Sequence, residues 1–195
     1  MTRIQAFRTA MRACDASLAL HAARVGAHAE AVARRLGWSG EQMADLRLGA
    51  ALHDLGKIRV RAELLTKPGR LDEHEIAEIR VHPVEGAWLI AGCDPVAAAL
   101  PYVLFHHERW DGTGYPTRRA GQEIPVEGRV LAVADAFDAM TSARPYREAQ
   151  ELDWAVSEVE RCAGTQFDPE VAGAFCTAFE AGEIGITSPA PAGIG

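Results

Sequence analysis

The sequence predicts an all-α domain of about seven to nine helices. Three observations carry this prediction: apolar residues recur at three- and four-residue steps, capping signatures mark where one helix yields to the next, and strand-like alternation is missing. Leu18, Ala22, Val25, Ala29, Val32 and Leu36 form the first apolar stripe, which Gly37 terminates. Ser39 followed by Gln42 has the form of a capping box and opens a helix that runs to about His53. Lys67-Pro68-Gly69 is a turn, and Asp72 with Glu75 marks the next helix start. Pro83 either ends the helix carrying Val81 or takes the first position of a new one. Asp94-Pro95 and Asp168-Pro169 each pair a capping residue with a first-turn proline, placing two more starts. Further helices are expected over 130–140 and 151–162, the second stopped by Gly164.

At 195 residues the chain suits one domain, expected over 1–183, that can bury a core without disulfides. From Ile184 the composition is that of turns and linkers, which predicts a flexible tail over 184–195. Hydrophobic residues make up 48% of the chain, and no apolar run is long enough to cross a bilayer. Arg3, Arg8 and Arg12, followed by a stretch broken by Asp15 and His21, fit an amphipathic helix better than a signal peptide. Cys14, Cys93, Cys162 and Cys176 are scattered without metal or redox spacing, which predicts reduced cysteines in a cytoplasmic protein. A net charge of −7 argues against DNA or a membrane surface as partner, since either calls for a basic face. An anionic small substrate stays compatible, because bound cations can invert the local field.

Chemistry concentrates in a few segments. Asp135 lies within Val130–Phe137, a helix apolar all round and so expected to be buried. A carboxylate in such a place needs a cation or a metal. Asp138, three residues on, is expected to steer a histidine or make a structural hydrogen bond rather than act as a ligand. His53-Asp54 closes a helix before Leu55-Gly56, where adjacent side chains can reach one centre, and Lys57 follows in the loop. His106-His107 ends the apolar run Tyr102–Phe105 and opens onto Glu108-Arg109-Trp110-Asp111-Gly112-Thr113-Gly114-Tyr115-Pro116. His21 should border the core beside Val25, and His82 stands at the backbone break before Pro83. Five histidines at helix ends or core-facing flanks, with two buried acids, point to cation binding. His28 and His74, set among polar neighbours, are not expected to be ligands.

In order and spacing this set resembles the HD-GYP family of metal-dependent phosphodiesterases, within the HD superfamily of helical-bundle phosphohydrolases. The similarity runs from about Leu18 to Phe179. It is most specific in the His106–Pro116 segment, in Ala132–Ala139 and in Arg144-Pro145-Tyr146-Arg147. The resemblance implies His21, His53, Asp54, His82, His106, His107 and Asp135 as metal ligands. It also implies hydrolysis of cyclic di-GMP to the linear dinucleotide pGpG and in some members onward to GMP. Iron or manganese is the expected metal, with zinc also suited to imidazole and carboxylate ligation. Some members carry a Glu four residues before the first histidine and hold three metals. Ser17 stands there in this chain, which predicts two. The loop after Pro116 usually reads Gly-Leu in the family and here carries Arg118-Arg119.

On this reading Asp54 bridges the two ions, about 3.5–4 Å apart as in other two-metal hydrolases, and a hydroxide between them attacks phosphorus in line. Lys57, Arg144 and Arg147 are the candidates for holding phosphate oxygens, Lys57 also for a catalytic part. Gly114, Tyr115 and Pro116 are expected to shape the substrate loop, Tyr115 either stacking on a guanine or anchoring the loop. The GYP loop is also a candidate contact for a partner protein. Two rival readings stand beside this one: hydrolysis of another cyclic dinucleotide or a nucleotide phosphate, and a non-catalytic nucleotide-sensing or interaction module.

Overall fold

Nine α-helical segments and three short 3₁₀ turns account for the regular structure in the computed structural model, which describes residues 16–142 and 149–185. The helices are α1 (Ala16–Arg35), α2 (Gly40–Leu52), α3 (Ala62–Leu65), α4 (Glu73–Ile79), α5 (His82–Ile90), α6 (Leu100–Phe105), α7 (Val126–Thr141), α8 (Leu152–Arg161) and α9 (Pro169–Glu180). The 3₁₀ turns span Leu55–Arg59, Asp94–Ala99 and Gly121–Glu123. Among the described residues there is no strand, only an isolated bridge between Ala163 and Phe167. No helix among them is long and apolar enough to cross a membrane.

Local chemistry sets the boundaries. At α2, Ser39 Oγ accepts the Gln42 N–H at 3.3 Å while Gln42 Oε1 accepts the Ser39 N–H at 2.9 Å. Asp72 and Glu75 make the same reciprocal pair at α4, both bonds 2.9 Å. Asp168 caps α9 through the Glu170 N–H at 2.8 Å. Pro83 lies in the first turn of α5, so it begins a helix rather than ending one. Asp94, by contrast, does not cap. It lies inside a 3₁₀ turn whose flanking residue is Cys93. The Val96 N–H that a capping carboxylate would take bonds instead to Cys93 O at 2.9 Å.

Two apolar clusters hold the helices together. The larger joins α1, α2, α7, α8 and α9, with Val25, Val32, Leu46, Val133, Phe137, Val159 and Phe175 withdrawn from solvent. Phe137 and Phe175 meet edge to face at 5.0 Å, and each such buried ring contributes about 1.5–3 kcal/mol. The smaller cluster joins Leu52, Leu55, Ile90, Val96 and Val103. Ile184, placed by composition at the start of the tail, is buried in the larger cluster, and Glu183 pairs with Arg35 at 2.6 Å. The packed body therefore extends beyond 183, because an isolated isoleucine finds an apolar seat that composition does not reveal. Residues 186–195 lie outside the described part.

The approach of two segments decides where the site forms. A Cβ on Gly56 would lie 1.9 Å from His82 O and 2.6 Å from Gly86 N. Only a bare Cα lets the turn after His53-Asp54 lie against α5. Leu52 and Leu55 anchor that turn in the smaller cluster, while α7 packs on α1 and α6 from the other side. The ends of α2, α5 and α6 and the flanks of α1 and α7 thus meet at one point.

Candidate metal centre and cleft

Five imidazoles and two carboxylates gather at that point. His53 follows the last residue of α2, His82 opens α5, and His106 and His107 follow α6. Helix ends carry carbonyls with no helical partner, and three of these rings use nearby ones. The His53 Nδ1 lies 2.8 Å from Ala50 O, the His82 Nδ1 2.8 Å from Ile79 O, and the His106 Nδ1 3.0 Å from Val103 O. A carbonyl only accepts, so each Nδ1 carries the proton and each Nε2 presents a lone pair.

These lone pairs converge. His82 Nε2 and His106 Nε2 face each other at 3.2 Å, and His53 Nε2 is buried with no hydrogen-bond partner. Two acceptors at that distance are no hydrogen bond, and an unpartnered buried nitrogen is costly. A cation resolves both. Ligand atoms about 2.0–2.2 Å from one ion lie about 3–3.5 Å apart at angles between 90° and tetrahedral, which matches the spacing here.

Asp54 ties two groups together. Its Oδ2 lies 3.4 Å from His53 Nε2 and 3.7 Å from His21 Nε2, while its Oδ1 lies 3.3 Å from His82 Nε2 and 4.0 Å from His106 Nε2. The sets His21–His53–Asp54 and His82–His106–His107 each offer three donors close enough for one ion. Asp135 Oδ1 closes on His21 Nε2 at 3.1 Å. Soft thiolate is absent from these groups, so the donors suit iron, manganese or zinc alike.

The electrostatics follow from burial and charge. Desolvation opposes ionisation of Asp54, but Lys57 at 2.6 Å and the surrounding imidazoles hold it well below the usual carboxylate range. Asp135 is likewise held low: burial acts against it, and the hydrogen bond and charge of His21 prevail. Burial, with like-charged neighbours, drives His106 well below its ordinary value, and burial lowers His107 to about 3. Both rings are thus neutral and free to donate a lone pair. His21 goes the other way. Burial lowers it, yet hydrogen bonds to Asp135 and Asp138 and their charge raise it to about 9.

Asp138 orients His21, with Oδ2 2.7 Å from Nδ1, and Arg24 grips the same carboxylate through Nε at 2.5 Å and Nη2 at 2.9 Å. The sequence reading did not single out Arg24, although it stands one helical turn after His21. Asp135 departs from expectation. Its side chain is 16% exposed, whereas Asp138 is 2% exposed. An apolar helix signals that a face is covered, and here the cover beside Asp135 is a cleft rather than another helix. His28 also differs from its polar sequence context: it is buried, edge-on to Phe137 at 5.2 Å, with burial lowering its pKa. Neither it nor the exposed His74 belongs to the two ligand groups.

An open cleft of about 180 Å³ lies over His106, His107 and Asp135, walled by Arg80, Arg109, Gly114, Tyr115 and Gln166. Tyr115 stacks on His107 at 4.8 Å and 24°. A Cβ on Gly114 would lie 2.4 Å from Arg109 N and 2.6 Å from Glu108 Cα, so glycine lets the loop fold back on itself. Glu108, given no role of its own by the sequence, fastens the loop's far end. Its Oε1 accepts the Thr117 N–H at 2.6 Å, the Thr117 hydroxyl at 2.7 Å and the Arg118 N–H at 3.1 Å. The Arg119 guanidinium turns away from the cleft, over the Phe105 ring at 4.7 Å. Arg144 and Arg147 lie outside the described residues.

The family described as "HD domain" matches residues 10–171. The chain belongs to the HD-domain family. Within it the chain is of HD-GYP type, as the His106–Pro116 segment and its relatives agree. It is 43% identical over 140 residues to the cyclic di-GMP phosphodiesterase response regulator RpfG of Xanthomonas campestris, covering 71% of this chain and 37% of that protein. It is 37% identical over 150 residues to 3′3′-cGAMP-specific phosphodiesterase 3 of Vibrio cholerae, covering 77% of this chain and 33% of that protein. This HD-GYP domain therefore spans roughly a third of the length of these relatives. Bd1817, an HDG"Y"P protein from Bdellovibrio bacteriovorus, shares the fold at a TM-score of 0.69 and 19% identity, over 84% of this chain and 52% of that one.

Proposed function

We propose that this domain is a metal-dependent phosphodiesterase that opens a cyclic dinucleotide, cyclic di-GMP first among them, to the linear dinucleotide pGpG. The observation that carries the reading is the Asp54 carboxylate, whose two oxygens each face a separate cluster of imidazole lone pairs. One carboxylate shared between two cation sites is what a two-metal hydrolase needs. His21, His53, Asp54, His82, His106, His107 and Asp135 would hold two divalent ions, iron or manganese before zinc. When bound, such ions lower the pKa of water and draw charge off a phosphoryl oxygen.

The chain's own groups supply the rest. Backbone carbonyls under His53, His82 and His106 fix the tautomer and keep the rings from turning. Asp138 and Arg24 hold His21 in the same way. Lys57, paired with the Asp54 carboxylate at 2.6 Å, carries a positive charge beside the candidate metal centre and would meet a phosphate bound there. Arg144 and Arg147 are assigned to the remaining phosphate oxygens on the strength of the motif. The GYP loop packs Tyr115 on His107 and so closes one wall, which favours the anchoring part for this ring. Its exposed residues Asp111, Thr113 and Thr117 are where a partner protein would touch. A cytoplasmic setting fits the unpaired state of Cys93, Cys162 and Cys176.

The relative of 3′3′-cGAMP specificity supports a second substrate, because the metal ligands do not choose the base. Product analysis on cyclic di-GMP and 3′3′-cGAMP, with metal content measured in parallel, tests both. Release of pGpG with about two ions per chain is expected. Full metal occupancy without turnover of either nucleotide would overturn this reading, leaving hydrolysis of another nucleotide phosphate or the sensing or interaction role.

A further inference from the structure

A cyclic dinucleotide carries two phosphates, and only one can be cut at a time. The other remains charged and needs its own partner near the cleft. Most cations around the cleft are already engaged. Lys57 is held by Asp54 at 2.6 Å, and Arg109 by Asp111 at 2.9 Å, with further bonds to Thr113 and Gln166. Arg24 is held by Asp138. Arg80 differs. It follows the last residue of α4, lines the cleft, and has no carboxylate within ion-pair distance among the described residues.

Arg80 is also positioned. Its guanidinium lies over the Tyr115 ring at 5.2 Å, and Tyr115 in turn stacks on His107 at 4.8 Å. The three groups form a column from the candidate metal centre to the cleft rim, no more than about 10 Å between guanidinium and imidazole ring. A guanidinium seated over a ring by cation–π attraction makes no hydrogen bond to it and so keeps its N–H donors for bidentate phosphate contact. An uncommitted cation at the rim, beside a cluster of imidazole lone pairs suited to hold cations, is built for an anion that spans both.

We infer that Arg80 binds the phosphate that is not being cleaved, and so sets the preference for cyclic dinucleotides over simple phosphodiesters. This rests on the phosphodiesterase reading above. Without that phosphate there is nothing for Arg80 to hold.

The test compares the full chain, loaded with Mn²⁺, with its Arg80→Met and Arg80→Lys variants. Substrates are cyclic di-GMP and bis(p-nitrophenyl) phosphate, which has a single phosphate. Losing a charged hydrogen bond of this kind costs about tenfold to a hundredfold in affinity. Arg80→Met, which keeps an apolar stem on Tyr115, should raise KM for cyclic di-GMP by that factor. It should leave kcat, metal content and turnover of bis(p-nitrophenyl) phosphate within about twofold. Arg80→Lys should recover part of the loss, because a point charge still attracts phosphate. Calorimetric binding of a non-hydrolysable phosphorothioate analogue of cyclic di-GMP should weaken in parallel with KM. An unchanged KM and binding constant in Arg80→Met, or an equal loss on both substrates, overturns the assignment while the phosphodiesterase reading stands. A wild-type chain that cleaves the simple diester but no cyclic dinucleotide overturns both.

Discussion

Replacing Asp54 by alanine puts the two-cation arrangement to its hardest test. The substitution removes both oxygens at once, so His21 and His53 lose their shared partner on one side and His82 and His106 on the other. Even residues that only orient a ligand cost about 10–100-fold in metal affinity when lost, so each site should weaken by at least that much. At a metal concentration about 100 times Kd, one ion stabilises a folded chain by about 2.7 kcal/mol, and two by about twice that. For a domain of this size each kcal/mol moves Tm by about 2–4 °C. Wild-type protein should therefore melt about 10–20 °C higher in Mn²⁺ than in chelator. Asp54→Ala should keep at most about half of that difference, and show no phosphodiester turnover. Measuring the shift between the two buffers, rather than Tm itself, removes the effect of leaving Lys57 without its carboxylate. The assay is calorimetry with elemental analysis of the same samples. A mutant that retains two ions per chain and the full metal-dependent shift would refute the bridging carboxylate.

Three further outcomes are expected. In chelated protein, His21 has its pKa raised to about 9. A pKa raised on folding gives stability that is complete below the unfolded value near 6.5 and is lost as pH rises through the folded one. Thermal midpoints of the chelated chain should fall between about pH 6.5 and 9, a fall that His21→Gln should lack and that a flat profile in wild type would contradict. Gly56→Ala places a methyl against His82 O and Gly86 N, and should cost about 1–3 kcal/mol by overpacking. It should also weaken metal binding, as the turn bearing His53 and Asp54 shifts from α5; unchanged denaturation and metal content would count against that close packing. Asp168→Ala removes both the cap on α9 and the partner of Arg129. It should destabilise by about 2–4 kcal/mol in urea while turnover per folded molecule holds, and a drop in turnover per folded molecule would give Asp168 a part in the site.

Periodicity and capping chemistry are local, and so the helices were legible from the chain. Ser39, Asp72 and Asp168 act within three residues of themselves, and the structure shows each bond that their spacing implied. Asp94 misled for the same reason: the residue pair was right, but a short 3₁₀ turn used the N–H that a cap would have taken. The candidate ligands could be picked out of the sequence because imidazoles at helix ends are chemically conspicuous and their order matched a known pattern, and the fold brings them together.

Tertiary structure decided what depends on residues far apart in the chain. It brought His21 and Asp138 into contact across 117 residues, and made Asp138 rather than Asp135 the fully covered acid. It set Arg80 against Tyr115 and left that cation without a carboxylate partner among the described residues. It also divided the Asp54 oxygens between two clusters. An amino-acid sequence states which groups exist and which helix face they occupy. Whether a face meets another helix, a cleft or an opposing charge is set by packing between segments, and only the folded chain supplies that.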